Sequence, residues 1–237
     1  MTLPQPASVT SPISSSGTIV NFAAPDGPVS VNIPAGAFSV PLNLTIVQPS
    51  TYPTITASAG GSATGTGVGI QVTLDQPVQP DQNVTLSISY AGSNLSAFNP
   101  AKLVICRYDP TENVWVPLPS TPDPVNRRVV ATTEHFSLFQ IMSISPAANL
   151  SNPKVFPNPF RPALGHTRIT FSNLPANAML RIYDILGEKV RDLTTNASGI
   201  ASWDSKNSNG NNVASGVYFV LAGSGSSRTT FKVAIQR

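Results

Sequence analysis

Short apolar or alternating runs recur along this chain with turn residues between them. Runs bounded by Gly, Pro, Asn and Ser read as β-strands, because successive side chains of a strand face opposite sides. In the first part the pattern predicts strands over 18–22, 29–33, 42–47, 68–74, 84–90, 103–108, 114–117, 128–132 and 138–144. Strands resume at 168–171, 179–184, 188–193, 199–203, 216–222 and 229–235. Between the two series, Ser145-Pro146-Ala147-Ala148-Asn149-Leu150-Ser151-Asn152-Pro153 is polar, contains two prolines and reads as a linker. Residues 1–16, rich in Pro, Ser and Thr, read as a flexible tail, and the Gly/Ser/Thr-rich stretch 57–67 as an exposed loop. The expected architecture is all-β: a tail (1–16), a β-sandwich domain (17–144), a linker (145–153) and a second sandwich of immunoglobulin size (154–237). No repeated unit relates the two halves.

Composition strengthens the all-β reading. The 23 Pro and 16 Gly suit many short strands joined by turns and suit helices badly. Charged residues are only 11% of the chain, so Ser, Thr, Asn, Gly and Pro carry its solubility. No apolar run approaches the roughly eighteen residues of a membrane-spanning helix, so no membrane span is expected. The net charge of +3 is unevenly spread: 4 Lys/Arg against 7 Asp/Glu up to Ala148, then 10 against 4 from Asn149 onward. That asymmetry marks two domains with different surfaces. The cations are scattered singly rather than clustered in a stripe, which argues against nucleic acid as a partner. Cys106 is the only cysteine, so an intrachain disulfide is excluded, and its neighbours Leu103-Val104-Ile105 make it a buried hydrophobe. Met1-Thr2-Leu3-Pro4 has neither the basic nor the apolar part of a signal peptide; for an exported protein, a mature fragment of a longer chain is expected.

In the second half, Phe156-Pro157-Asn158-Pro159-Phe160 brackets an Asn between prolines. The segment 180–190 reads as a hairpin turning at Gly187, and Trp203-Asp204 precedes an Asn209-Gly210 turn. Gly216-Val217-Tyr218-Phe219-Val220 and a terminal segment from Lys232 complete the series. These marks, Pro157, Asn158, Pro159, Gly187, Trp203, Gly210, Gly216, Tyr218 and Lys232, resemble the Ig-like domain of type IX secretion (Por) C-terminal sorting domains and of flagellar hook-capping proteins. The resemblance implies recognition by an outer-membrane secretion machinery or another cell-envelope partner, and an extracellular or cell-surface location. A plain Ig-like module without a sorting role is the alternative.

In the first half, Ile33-Pro34-Ala35-Gly36-Ala37-Phe38 and the late Glu134-His135-Phe136-Ser137 resemble the β domain of ankyrins and netrin receptors. Some relatives cleave themselves at His-Phe-Ser. Here Ser137 Oγ would attack the Phe136 carbonyl, His135 would take the proton or stabilise the intermediate, and water would hydrolyse the resulting ester. The plain alternative packs Phe136 inward and leaves His135 and Ser137 as turn or edge residues.

No other catalytic constellation emerges, and the expectation is a non-enzymatic structural or adhesive protein without cofactor or metal. Asp204, Asn207, Asn209 and Asn212 suggest a calcium loop, but Gly216 stands where its closing acidic ligand belongs. His166 lies in a loop with no further ligand in view. Trp115 and Trp203 could stack on sugars, although both fall in strand patterns where core packing is the default. Few charges protect the strand edges, which leaves self-association into an extracellular fibre as a further alternative.

Overall fold

The computed structural model describes residues 7–54, 63–111, 113–164 and 166–237. They are almost entirely strand and turn. Apart from short 3₁₀ turns such as Pro100–Lys102, there is no helix among the described residues. The fold is all-β, with two compact units: among the described residues, 7–54 and 64–143 form the first, and Ile144–Arg237 with Ala63 form the second.

The first unit contains a six-stranded and a five-stranded sheet. The larger runs in the order β1 (Ser8–Ile13), β4 (Leu42–Val47), β5 (Ala63–Leu74), β11 (Leu138–Ile144), β7 (Leu103–Asp109) and β8 (Val114–Pro117). The smaller runs β2 (Thr18–Ala24), β3 (Gly27–Ile33), β6 (Val84–Ser89), β10 (Arg128–Thr133) and β9 (Ser120–Asp123). Alternate residues point inward: Leu44, Ile46, Ile70 and Ile141 from one sheet meet Val31, Leu86, Ile88 and Val129 from the other in one apolar core. Their removal from water, about 25 cal/mol per Å² of apolar surface, drives the two sheets together.

Several expectations need correction. The tail assigned to 1–16 contains β1, which pairs with β4 from Ser8↔Val47 to Ile13↔Leu42. Ile13 is its only residue buried in the core, so the alternation was too weak to read, and Pro12 is tolerated because β1 lies at the sheet edge. Residues 63–67 of the expected loop open β5, while 57–62 lie outside the described residues. The expected linker is built into the second unit. Leu150 belongs to that unit's core, the Ala147 N–H donates to the Leu174 carbonyl at 3.0 Å, and Asn173 Nδ2 donates to the Asn152 carbonyl at 2.5 Å.

The second unit pairs a three-stranded sheet, β12 (Lys154–Phe156), β13 (Ile169–Ser172) and β16 (Ala201–Trp203), with a four-stranded one. The latter runs β15 (Lys189–Thr194), β14 (Met179–Tyr183), β17 (Gly216–Ser224) and β18 (Ser227–Ile235). Ile169, Phe171 and Trp203 face Leu180, Ile182, Val220 and Val233 across its core. The tryptophans are interior residues rather than sugar platforms. Trp115 is fully buried against Tyr108 (ring centroids 5.2 Å), and Trp203 is 1% exposed. Cys106 is buried too, and burial pushes its thiol far above the ordinary range, holding it neutral and unreactive.

Candidate functional site

Two of the marks of the second unit, Asn158 and Lys232, meet at its last strand. Both proline bonds of the leading segment, Phe156–Pro157 and Asn158–Pro159, are cis. The segment runs along the free edge of β18. Asn158 Oδ1 accepts from the Ala234 N–H at 2.9 Å, and its Nδ2 donates to the Lys232 carbonyl at 3.3 Å. One side-chain amide thereby stands in for a strand residue, satisfying an edge donor and an edge acceptor at once. Phe160 continues the pairing with its backbone: its N–H donates to the Ala234 carbonyl and its carbonyl accepts from the Gln236 N–H, both at 2.8 Å. The two segments run parallel at the Phe160–Ile235 bridge. Beyond it, Arg161 Nε donates to Gln236 Oε1 at 2.8 Å, and the Arg161 N–H donates to His166 Nδ1 at 2.8 Å.

Trp203 and Tyr218 meet edge to face at 5.6 Å. The indole N–H donates to the Lys206 carbonyl and the phenol to the Ala214 carbonyl, each at 2.8 Å. Burial raises the Tyr218 pKa, Asp184 adds to the rise, and Arg237 opposes it. Arg237 is itself anchored: Nε donates to the Val213 carbonyl at 2.7 Å, Nη2 to Ser205 Oγ at 2.7 Å, and its backbone N–H to Ser215 Oγ at 2.9 Å. Gly216 has neither a left-handed backbone nor a crowded surrounding, and nothing in the structure requires glycine there.

Gly187 and Gly210 prove to be two of three copies of one turn. In Asp184–Glu188, the Asp184 carboxylate accepts from the N–H groups of Leu186 and Glu188, both at 2.9 Å. Asn196 accepts in the same way from Ser198 and Ile200, and Asn207 from Asn209 and Asn211, all at 3.0 Å. In each copy the first residue's N–H also bonds the fifth residue's carbonyl, at 2.8–3.0 Å. In each the fourth residue is a glycine at φ +83, +71 or +81°, a conformation costly for residues with a Cβ. The shared spacing, Asp/Asn-x-x-Gly at 184, 196 and 207, was present in the sequence and could have revealed the repetition. It also accounts for the polar run 204–212, where Asp204 and Asn207 serve as turn acceptors.

The His135-Phe136-Ser137 tripeptide lies in the connection between β10 and β11. Phe136 is buried against Phe38 (6.2 Å). Its peptide is bracketed by Gln79, whose Oε1 accepts from the Phe136 N–H at 2.6 Å and whose Nε2 donates to the Phe136 carbonyl at 3.4 Å. The Ser137 hydroxyl donates to the Tyr108 carbonyl at 2.8 Å, and Thr133 Oγ1 donates to the His135 carbonyl at 2.9 Å. None of the three residues has a positive φ. Gln79 carries no motif and is remote in sequence, so only the fold could identify it. Among the described residues, no three His, Cys, Asp or Glu side chains gather in a metal-binding arrangement.

Residues 154–236 match the family of secretion system C-terminal sorting domains. Among solved structures, the chain is similar to PorZ, an essential surface component of the type IX secretion system of Porphyromonas gingivalis, at 15% identity and a TM-score of 0.37. It is also similar to dimeric latent PorU of the same organism, at 14% identity and a TM-score of 0.25. These alignments cover 95% and 91% of this chain but only 39% and 26% of those proteins. No curated protein matches the chain. The sorting-domain match over 154–236 makes this an extracellular or cell-surface protein.

Proposed function

We propose that the chain is a non-enzymatic envelope protein. Its first unit serves as a structural or adhesive β module of the ankyrin and netrin-receptor type. Its second unit is presented to the type IX secretion machinery for export or surface attachment. The observation that carries this reading is the sorting-domain match over 154–236. The test is direct. The full chain, preceded by a secretory signal peptide, is produced in a host with a functional type IX system and in the same host lacking the translocon. Appearance on the surface or in the medium only when the translocon is present is the expected result. Retention in the periplasm in both hosts overturns the export reading.

A second reading is self-cleavage between Phe136 and Ser137. In its favour, Gln79 Nε2 already donates to the carbonyl that would carry the negative charge of a tetrahedral intermediate. Against it, the Ser137 hydroxyl is committed to the Tyr108 carbonyl. Denaturing electrophoresis separates the two. Two fragments that disappear in Ser137→Ala support cleavage, whereas one stable band near 24.8 kDa excludes it.

A further inference from the structure

The three Asp/Asn-x-x-Gly turns provide an internal control. Their hydrogen bonds require an acceptor side chain at the first position and glycine at the fourth and use no side chain at the two middle positions. In the other two copies the surroundings claim a middle residue, Ser198 being buried and the Ser208 hydroxyl donating to the Val190 carbonyl at 3.1 Å. The second and third turns fill those positions with Ala197-Ser198 and Ser208-Asn209. The first holds Ile185 and Leu186, which are 79% and 82% exposed, the two most exposed large aliphatic residues in this unit among those described. Turn geometry does not call for them, and leaving them in water costs free energy.

The outer face of the adjoining four-stranded sheet is equally distinctive. Beside the turn, cross-strand partners form the row Lys189–Tyr183–Phe219–Lys232, with the Lys232 ammonium 5.5 Å from the Phe219 ring centre. Further along, a cleft of about 280 Å³ is lined by Met179, Arg181, Leu221, Gly223 and Arg228. No carboxylate lines it, but Asp192 stands opposite Arg181 on β15 and holds the Lys189 ammonium at 3.0 Å, so the basic character of the face rests on Arg181, Arg228 and Lys232. At Gly223 a Cβ would stand 3.1–3.2 Å from the Arg228 side chain, so the glycine lets that arginine lie close to the sheet.

From this we infer that the Ile185-Leu186 tip and the basic outer face of the β15-β14-β17-β18 sheet form the docking surface for a protein of the export machinery. Its complementary site is an apolar pocket for the tip and carboxylates for the cations. The inference rests on the export reading above and adds to it the face used and the chemistry of the partner. Charge decides for a protein over an anionic membrane. Asp184 adjoins the apolar pair and Glu188 follows it after Gly187, so both would meet lipid phosphates with repulsion, whereas a protein pocket can place an apolar floor and charged rim separately.

The test uses the full chain with a secretory signal peptide in the type IX-competent host. It compares wild type with I185S/L186S, with R181E, and with a variant that moves the apolar pair to the third turn (I185S/L186N/S208I/N209L). Circular dichroism melting establishes that each variant folds. Expected is wild-type export, at least about tenfold loss in I185S/L186S and R181E, and no recovery in the transplanted variant. Export of folded I185S/L186S and R181E at the wild-type level overturns the docking surface while leaving the export reading standing. Periplasmic retention of wild type overturns both. Co-sedimentation of purified wild type, but not I185S/L186S, with anionic phosphatidylglycerol vesicles overturns the protein partner in favour of a membrane.

Discussion

The Asp184 and Asn196 turns have the same hydrogen bonds and opposite surroundings. At Asp184 the turn projects into solvent, and a Cβ added to Gly187 would meet nothing within 4 Å. At Asn196 it is pressed into the unit: Ser198 and Ile200 are buried, and a Cβ on Gly199 would lie 1.8 Å from the Leu174 carbonyl oxygen. Five residues suffice to set the backbone path. What those residues do for the protein depends on where the sheet carries them.

Substitutions at matched positions should separate the local contribution from the tertiary one. The largest effect is expected for Gly199→Ala, where a left-handed backbone and a clash with fixed backbone combine to cost about 3 kcal/mol or more. Asn196→Ala should follow at about 2 kcal/mol, because it strips acceptors from the N–H groups of two buried residues. Gly187→Ala and Gly210→Ala, strained in backbone but unhindered, should each cost only about 1 kcal/mol. Asp184→Ala should cost about 0.5 kcal/mol, since water can reach the N–H groups it exposes. I185S/L186S should leave stability within about 0.5 kcal/mol of wild type. Urea unfolding followed by Trp203 fluorescence, in a Trp115→Phe background so that only the second unit is read, measures all of them. Equal losses at Gly187 and Gly199 would show that surroundings matter little and remove the basis of the comparison.

The same contrast explains what the sequence revealed. Strands with a strong inward face, such as Leu42–Val47 or Val84–Ser89, announce themselves because every second residue enters the core. Two short edge strands do not: Ser120–Asp123 and Lys154–Phe156 have no fully buried residue, so burial imposes no alternation on them. In the site, the residue types were legible but their partners were not. Asn158 stood out between its prolines, yet its bonds reach Lys232 and Ala234 more than seventy residues away. Ser137 suggested a nucleophile, yet its hydroxyl is engaged by Tyr108 on β7, a neighbour created only when β7 and β11 pair. The apolar pair at 185–186 passed as part of a hairpin because alternation alone cannot say which of its residues end in solvent.

The pairing of Asn158–Phe160 with Lys232–Gln236 also has a mechanical consequence. Parallel segments near the two ends of a unit, pulled apart along the chain, slide lengthwise past each other. Their cross-links are then loaded together in shear instead of opening one after another. A domain held from one end and tugged from the other would resist through this short seam before its core felt the load.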